Sequence, residues 1–239
     1  MELNAKEVFE IFEEKGIESL NHANSVITSC QFLRYGALIS RGIIERKKWR
    51  QTEQISDELD KEFSIWNDIF VDSVDIHDRA NRANIYGPVL LKLDSKILKD
   101  QYVGNVWITK SNPIKWHETP YENRWFQSVD DLNENFAKGT FDQMIVFRHC
   151  GGELPITTYI KEITLDDPKI NPKNQENIEF DVYSLAFGAL RSSLEEGGIS
   201  NVTINKRSCG SFCKCFEDYN NDLKKMARMY APWILKNQG

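Results

Sequence analysis

The sequence predicts an α+β fold, and three observations carry that prediction. Apolar residues recur at helical spacing near both ends, at Val26, Cys30 and Leu33 and again at Val182, Leu185, Ala186, Ala189, Leu190 and Leu194. Between them lie short β-type runs at 89–93, 105–109 and 144–147, bounded by Gly, Pro, Asn and Asp. The two kinds of element do not alternate as regular βαβ units would.

Each element has its own signal. Asn4 and Glu7 read as a capping box that opens a helix over 5–14, with Val8, Ile11 and Phe12 on one face and Gly16 as its end. Residues 17–20 can form a short strand. Ser25 opens the next helix, and Gly36 is a natural residue to follow it. The acidic stretch 55–71 holds Ile55, Leu59, Phe63, Ile65, Trp66 and Phe70 and is predicted helical. Residues 156–165 continue extended or mixed, and the Pro- and Asn-rich 166–177 reads as a long surface loop. The helix over 182–194 closes at Gly197-Gly198, 202–205 is a strand, and 216–230 a final helix.

With 239 residues, 41% hydrophobic, the chain can bury a substantial core, which excludes wholesale disorder and favours one large domain over 1–239. No apolar run approaches the roughly 18 residues of a membrane span. The first residues, MELNAKE, are charged and unlike a signal peptide, so a cytoplasmic protein with no membrane attachment is expected. A net charge of −6 opposes general coating of nucleic acid, which relies on many contacts to phosphates. The charge is uneven, however: residues 51–79 carry nine acids and two bases, whereas RGIIERKKWR at 41–50 carries five bases and one acid. A local basic surface is compatible with the acidic total. Five cysteines, an odd number, suggest reduced thiols. Cys209, Cys213 and Cys215 could supply three metal ligands, with His149 or Cys150 as a fourth. Structural zinc sites usually show paired Cys knuckles and only one cluster is present, so no metal is expected.

Familiar catalytic signatures are missing: there is no Walker A loop, G-x-G-x-x-G, H-E-x-x-H or G-x-S-x-G. The informative pattern starts at His22, on a strand, followed by a helix and then Gly36-Ala37-Leu38-Ile39-Ser40-Arg41, with 14 residues from His22 to Gly36. Later, Arg148-His149-Cys150-Gly151-Gly152-Glu153-Leu154-Pro155 follows the apolar run 144–147, and Tyr159, Ile160 and Ile163 come soon after. Between these lie Asp75-Ile76-His77-Asp78-Arg79 and Ile85-Tyr86-Gly87-Pro88. Two segments interleave bases with aromatics, 106–116 and Arg46-Lys47-Lys48-Trp49-Arg50. Such a pattern suits stacking on single-stranded bases, and equally an ordinary strand and turn with amphipathic lysines.

In this order the motifs resemble those of the DarT-like ADP-ribosyltransferases, over residues 17–165. There, His-x-Thr, a helix and Gly-Leu-hydrophobic-Ser follow one another, and the catalytic glutamate opens a late strand before a Tyr-Ile-x-x-Ile segment. Asn24 stands here where threonine is usual. The resemblance implies an ADP-ribosyltransferase-like split, mixed β-sheet core with flanking helices, to which 178–239 adds a helix–strand–helix extension. It implies NAD as ADP-ribose donor and no metal. Glu153 would be the catalytic carboxylate, stabilising an oxocarbenium-like transition state and taking the acceptor's proton. His22 would be a fixed hydrogen-bond donor that holds the nicotinamide-side ribose or orients the dinucleotide, with Asn24 a further NAD contact. Arg79, and behind it Arg34 and Arg41, would pair with the pyrophosphate, and Tyr86 would stack on nicotinamide. The implied activity is transfer of ADP-ribose to a base of single-stranded RNA or DNA, by a toxin of a toxin–antitoxin or phage-defence system that a cognate antitoxin protein restrains. Transfer to a protein side chain is one rival. A binding protein that keeps the fold without catalysis is another, and whether His22 and Glu153 face one cleft separates it from an enzyme.

Overall fold

The computed structural model describes residues 1–79, 83–173, 177–208 and 213–232. Strand β1 (Leu3–Asn4) leads into α1 (Ala5–Glu14), where Asn4 Oδ1 accepts from the amides of Lys6 and Glu7. That short side chain satisfies two N–H groups the first turn would otherwise leave unpaired. Strand β2 (Ser19–Asn24) begins two residues later than expected and runs on through His22. Helix α2 (Val26–Tyr35) ends at Gly36, whose φ of 75° is the left-handed conformation a residue without Cβ adopts at no steric cost. Strand β3 (Ala37–Ile39) and helix α3 (Arg41–Arg46) follow directly.

In the acidic stretch the expected helix shrinks to α4 (Asp57–Glu62). Ser64 takes a φ of 57°, which ends the helical path. Residues Ile69–Val71 form strand β4 because a partner, β7 (Ile145–Phe147), offers them an antiparallel ladder. Ile65, Trp66 and Phe70 fit helical spacing, and tertiary pairing overrides it. Helix α5 (Ile76–Arg79), β5 (Val89–Asp94), β6 (Asn105–Ile108), α6 (Val129–Asn135), β8 (Glu153–Pro155) and β9 (Ile160–Asp167) make up the middle of the chain. Helix α7 (Val182–Glu196) and β10 (Thr203–Ser208) follow. The single helix expected over 216–230 is two, α8 (Lys214–Asn221) and α9 (Leu223–Tyr230). Asp222 leaves the helical region between them, and its carboxylate caps α9 by accepting from the Lys225 amide. The loop at 166–177 also starts later than expected, since Asp166 and Asp167 belong to β9 and are buried.

Among the described residues the strands form two four-stranded sheets, β1-β6-β7-β4 and β10-β9-β5-β2, and a β3-β8 ribbon. Pairing is antiparallel except between β9 and β10, so the second sheet is mixed. The fold is α+β with a split sheet. The two sheets are joined where Asn21 on β2 and Asp72, just after β4, exchange backbone hydrogen bonds of 2.8 and 2.9 Å. Helix α2 packs between the mixed sheet and α7, and Phe12, Leu20, Phe32, Leu33, Leu91, Ile163 and Leu190 share one apolar core. A smaller cluster gathers Ile65, Trp116, Trp125 and Val146, with Trp125 centred 5.0 Å from Trp107 and 4.9 Å from Trp116. Lys110 and Lys115 pair with Asp131 and Asp142 at its edge. The basic and aromatic residues of 106–116 therefore build core and rim, which is the ordinary strand-and-turn reading. No helix among the described residues is long and apolar enough to cross a membrane.

Candidate functional site

Beyond the Asn21–Asp72 junction β2 and β4 part, and His22 spans the gap. Its ring nitrogen Nδ1 lies 2.8 Å from the Phe70 carbonyl. A carbonyl only accepts, so Nδ1 carries the proton and Nε2 presents a lone pair. Burial depresses the imidazole pKa and outweighs the opposing effect of that hydrogen bond, so the ring is neutral. Nε2 is buried and has no hydrogen-bond partner. The sequence-based role is corrected accordingly: His22 offers a fixed acceptor, and a donor at Nε2 would need the imidazolium that burial disfavours.

His22 is one of the residues that line a cavity of about 320 Å³ in the split between the sheets. The second sheet's Asn24 and the first sheet's Phe70 and Asp72 line it, together with Phe32, Arg41, Trp66, Arg79 and Tyr86. Asn24 is buried, its Oδ1 accepting from the Ser25 amide at 2.9 Å. Arg41 donates to Asp57 at 2.5 Å and to the Thr52 carbonyl at 3.1 Å, and Arg79 donates to Asp72 at 2.7 Å. In both arginines the Nε atom is buried without a hydrogen-bond partner. Each guanidinium is thus held by a carboxylate at one end and keeps a donor in reserve. Gly87, at a φ of 142°, places the loop that carries Tyr86 against Asn24; a Cβ there would come within 2.3 Å of the Asn24 carbonyl.

Three carboxylates, Asp60, Asp68 and Asp72, belong to the lining. Burial pushes Asp60 and Asp68 up to about 6, in Asp68 against the pull of Arg148, its ion-pair partner at 2.8 Å. Burial also raises Asp72, with Arg79 acting in the opposite sense. None of these acids, nor the Phe70 carbonyl, was singled out from sequence. Asp72 lies seven residues before Arg79 in an acid-rich stretch, and a backbone acceptor leaves no trace in residue type.

The remaining sequence-derived residues lie elsewhere. Arg34 is bound to Glu196 at 2.7 Å and does not line the cavity. It sits two residues past Phe32 on α2, which turns it to the opposite helix face. Glu153 is not among the cavity-lining residues either. It pairs with Ile39 across the β3-β8 ribbon, and Ile39 does line the cavity, so the carboxylate is one strand away. The Tyr35 hydroxyl donates to Glu153 Oε2 at 2.9 Å, and Lys47 Nζ lies 3.1 Å from Oε1. Lys47 also stands 4.3 Å from the ring of Tyr35 and 5.0 Å from that of Trp49. These contacts raise the Lys47 pKa, first through Tyr35 and then through Glu153. The single cleft expected for His22 and Glu153 is replaced by a cavity and a neighbouring surface cluster. His149, at a left-handed φ of 59°, is exposed near Glu2, and among the described residues it is His77 that gathers with Cys213 and Cys215. Cys209 lies outside the described residues.

No protein-family model matches the chain, and no curated protein does. Among solved structures, Thermus sp. 2.9 DarT in complex with ADP-ribosylated ssDNA is 9% identical, with a TM-score of 0.49 over 80% of this chain and 95% of that one.

Proposed function

We propose that the protein is an NAD-dependent ADP-ribosyltransferase acting on a base of single-stranded nucleic acid, RNA or DNA. The observation that carries the reading is that His22, Arg41 and Arg79 line one cavity and each has a buried ring or guanidinium nitrogen without a hydrogen-bond partner. Leaving such groups without partners costs stability, so their natural complement is a ligand with hydroxyls and phosphate oxygens. In this reading a ribose hydroxyl donates to His22 Nε2 and the two arginines address the pyrophosphate. Tyr86, which also lines the cavity, is the residue assigned to stack on nicotinamide.

The bond from ribose C1′ to nicotinamide breaks, its electron pair neutralises the pyridinium, and positive charge spreads over the ribose. Glu153 is the carboxylate assigned to stabilise that charge and to accept the proton the acceptor nitrogen loses on attacking C1′. Its neighbours suit a single-stranded acceptor, because Tyr35 and Trp49 offer ring faces and Lys47 a cation. To act, the carboxylate must leave Lys47 and Tyr35 and turn toward the cavity. A toxin role under the control of an antitoxin protein follows from the motif resemblance and belongs to the same proposal.

The placement of Glu153 favours one second reading, a protein that binds a dinucleotide without transferring it. Radiolabelled NAD incubated with separate RNA, DNA and protein pools tests both. Label in a nucleic-acid pool that Glu153→Gln abolishes supports the transferase. Saturable NAD binding without labelling supports the binder, and label only in protein overturns the choice of acceptor.

A further inference from the structure

A second constellation lies where α8 meets α5. His77 Nε2 is 3.7 Å from Cys215 Sγ, and these two atoms and Cys213 Sγ all fall within 4.8 Å of one another. Cys215 is buried, and Cys213 is partly open to solvent. The Asn84 amide donates to Cys215 Sγ at 3.3 Å, an arrangement that stabilises a thiolate. Zinc bonds of about 2.3 Å to sulfur and about 2.0 Å to nitrogen, set tetrahedrally, separate ligand atoms by roughly 3.5–3.8 Å. The His77–Cys215 spacing already matches that edge.

We propose that His77, Cys213 and Cys215 bind a zinc ion, with water in the fourth position. The proposal reverses the expectation drawn from cysteine spacing, since the third ligand comes from 136 residues before Cys213 and not from a second knuckle. Charge balances locally, because two thiolates neutralise the dication. On binding, the imidazole gives up Asp166 Oδ2, 3.6 Å away, and Asp166 retains Arg207, whose Nε donates to Oδ1 at 2.6 Å. Neither carboxylate nor guanidinium is stranded. Metal here would tie the C-terminal helices to the segment that carries Arg79, two residues beyond His77, and so brace one wall of the cavity. The site stands independently of the proposed transferase activity.

The full chain, purified under reducing conditions without chelator, should carry about one zinc per molecule by elemental analysis. Replacing the zinc with cobalt(II) should give thiolate-to-cobalt charge-transfer bands and tetrahedral visible bands. His77→Ala and the Cys213→Ser/Cys215→Ser pair should lose the metal, whereas Cys30→Ser and Cys150→Ser should keep it. The cobalt spectrum of the unaltered chain decides the matter even where a variant fails to fold. A folded protein with neither zinc nor a thiolate–cobalt band overturns the proposal. So does zinc that survives loss of both Cys213 and Cys215.

Discussion

Replacing Asp60 with asparagine should stabilise the protein, and only above mildly acidic pH. Burial lifts this carboxyl from 3.8 to about 6. The folded state therefore binds more protons than the unfolded chain between about pH 4 and pH 6, and stability falls as pH rises through that window. Two pKa units at about 1.4 kcal/mol each would cost roughly 3 kcal/mol in a dry site. Asp60 is only partly buried, and solvent screening reduces the cost to about 1–2 kcal/mol. Asparagine keeps an oxygen for Ser56 Oγ, which now donates to Asp60 Oδ2 at 3.1 Å, and it sheds the charge. At about 2–4 °C per kcal/mol for a chain of this size, Asp60→Asn should melt roughly 2–8 °C higher at pH 8, with no gain near pH 4. Urea titrations at the two pH values supply the free energies. An equal gain at both, or a loss at pH 8, refutes the reasoning, because the first would not come from the charge and the second would show that the ionised group is net favourable.

Three further outcomes are expected. Glu153→Gln should lower the transfer rate on the order of 100- to 1000-fold while NAD affinity, read by calorimetry, changes little. His22→Phe removes the acceptor and should weaken dinucleotide binding by about 1–3 kcal/mol; in the unaltered protein the depressed His22 pKa adds a loss of stability as pH falls below about 6.5, where the unfolded imidazole takes up the proton first. Trp125→Ala should cost about 3–5 kcal/mol in denaturant titrations, since it empties the centre of the small aromatic cluster, whereas a loss under about 1 kcal/mol would mean that the cluster collapses to fill the gap.

Much of the fold was legible because its signals are local. The Asn4 cap, the left-handed Gly36 and the apolar stripe of α7 act within a few residues, and the structure contains all three. The failures share a cause. Phe70 fits a helical stripe until β7 pairs with it, and the final helix looks continuous until Asp222 is seen capping its second half. The cavity shows the same division. His22, Asn24, Arg41, Arg79 and Tyr86 were identifiable as residue types in an ordered pattern and do line it. Arg34 belonged to the same motif yet sits on the wrong helix face, and the carboxylates that engage Arg41 and Arg79 answer to distances no motif encodes. Glu153 stood out by its position in sequence, but its engagement by Lys47 and Tyr35 depends on how α2 and α3 pack.

The junction of the two sheets is also where a ligand in the cavity would leave a mark. Among the described residues the seam between β2 and β4 is held by two backbone hydrogen bonds at Asn21 and Asp72, by the Asn21 side-chain amide donating to the Asp72 carbonyl at 3.4 Å, and by one imidazole contact to Phe70. Four such bonds, at roughly 0.5–1.5 kcal/mol each, break more readily than either sheet unfolds, so the seam should breathe while the strands stay intact. His22 stands on one bank and Arg79, through Asp72, on the other, and a molecule gripping both rivets the banks together. The amide hydrogens of Asn21 and Asp72, each bonded across the seam, should then exchange with solvent more slowly the more often the cavity is filled.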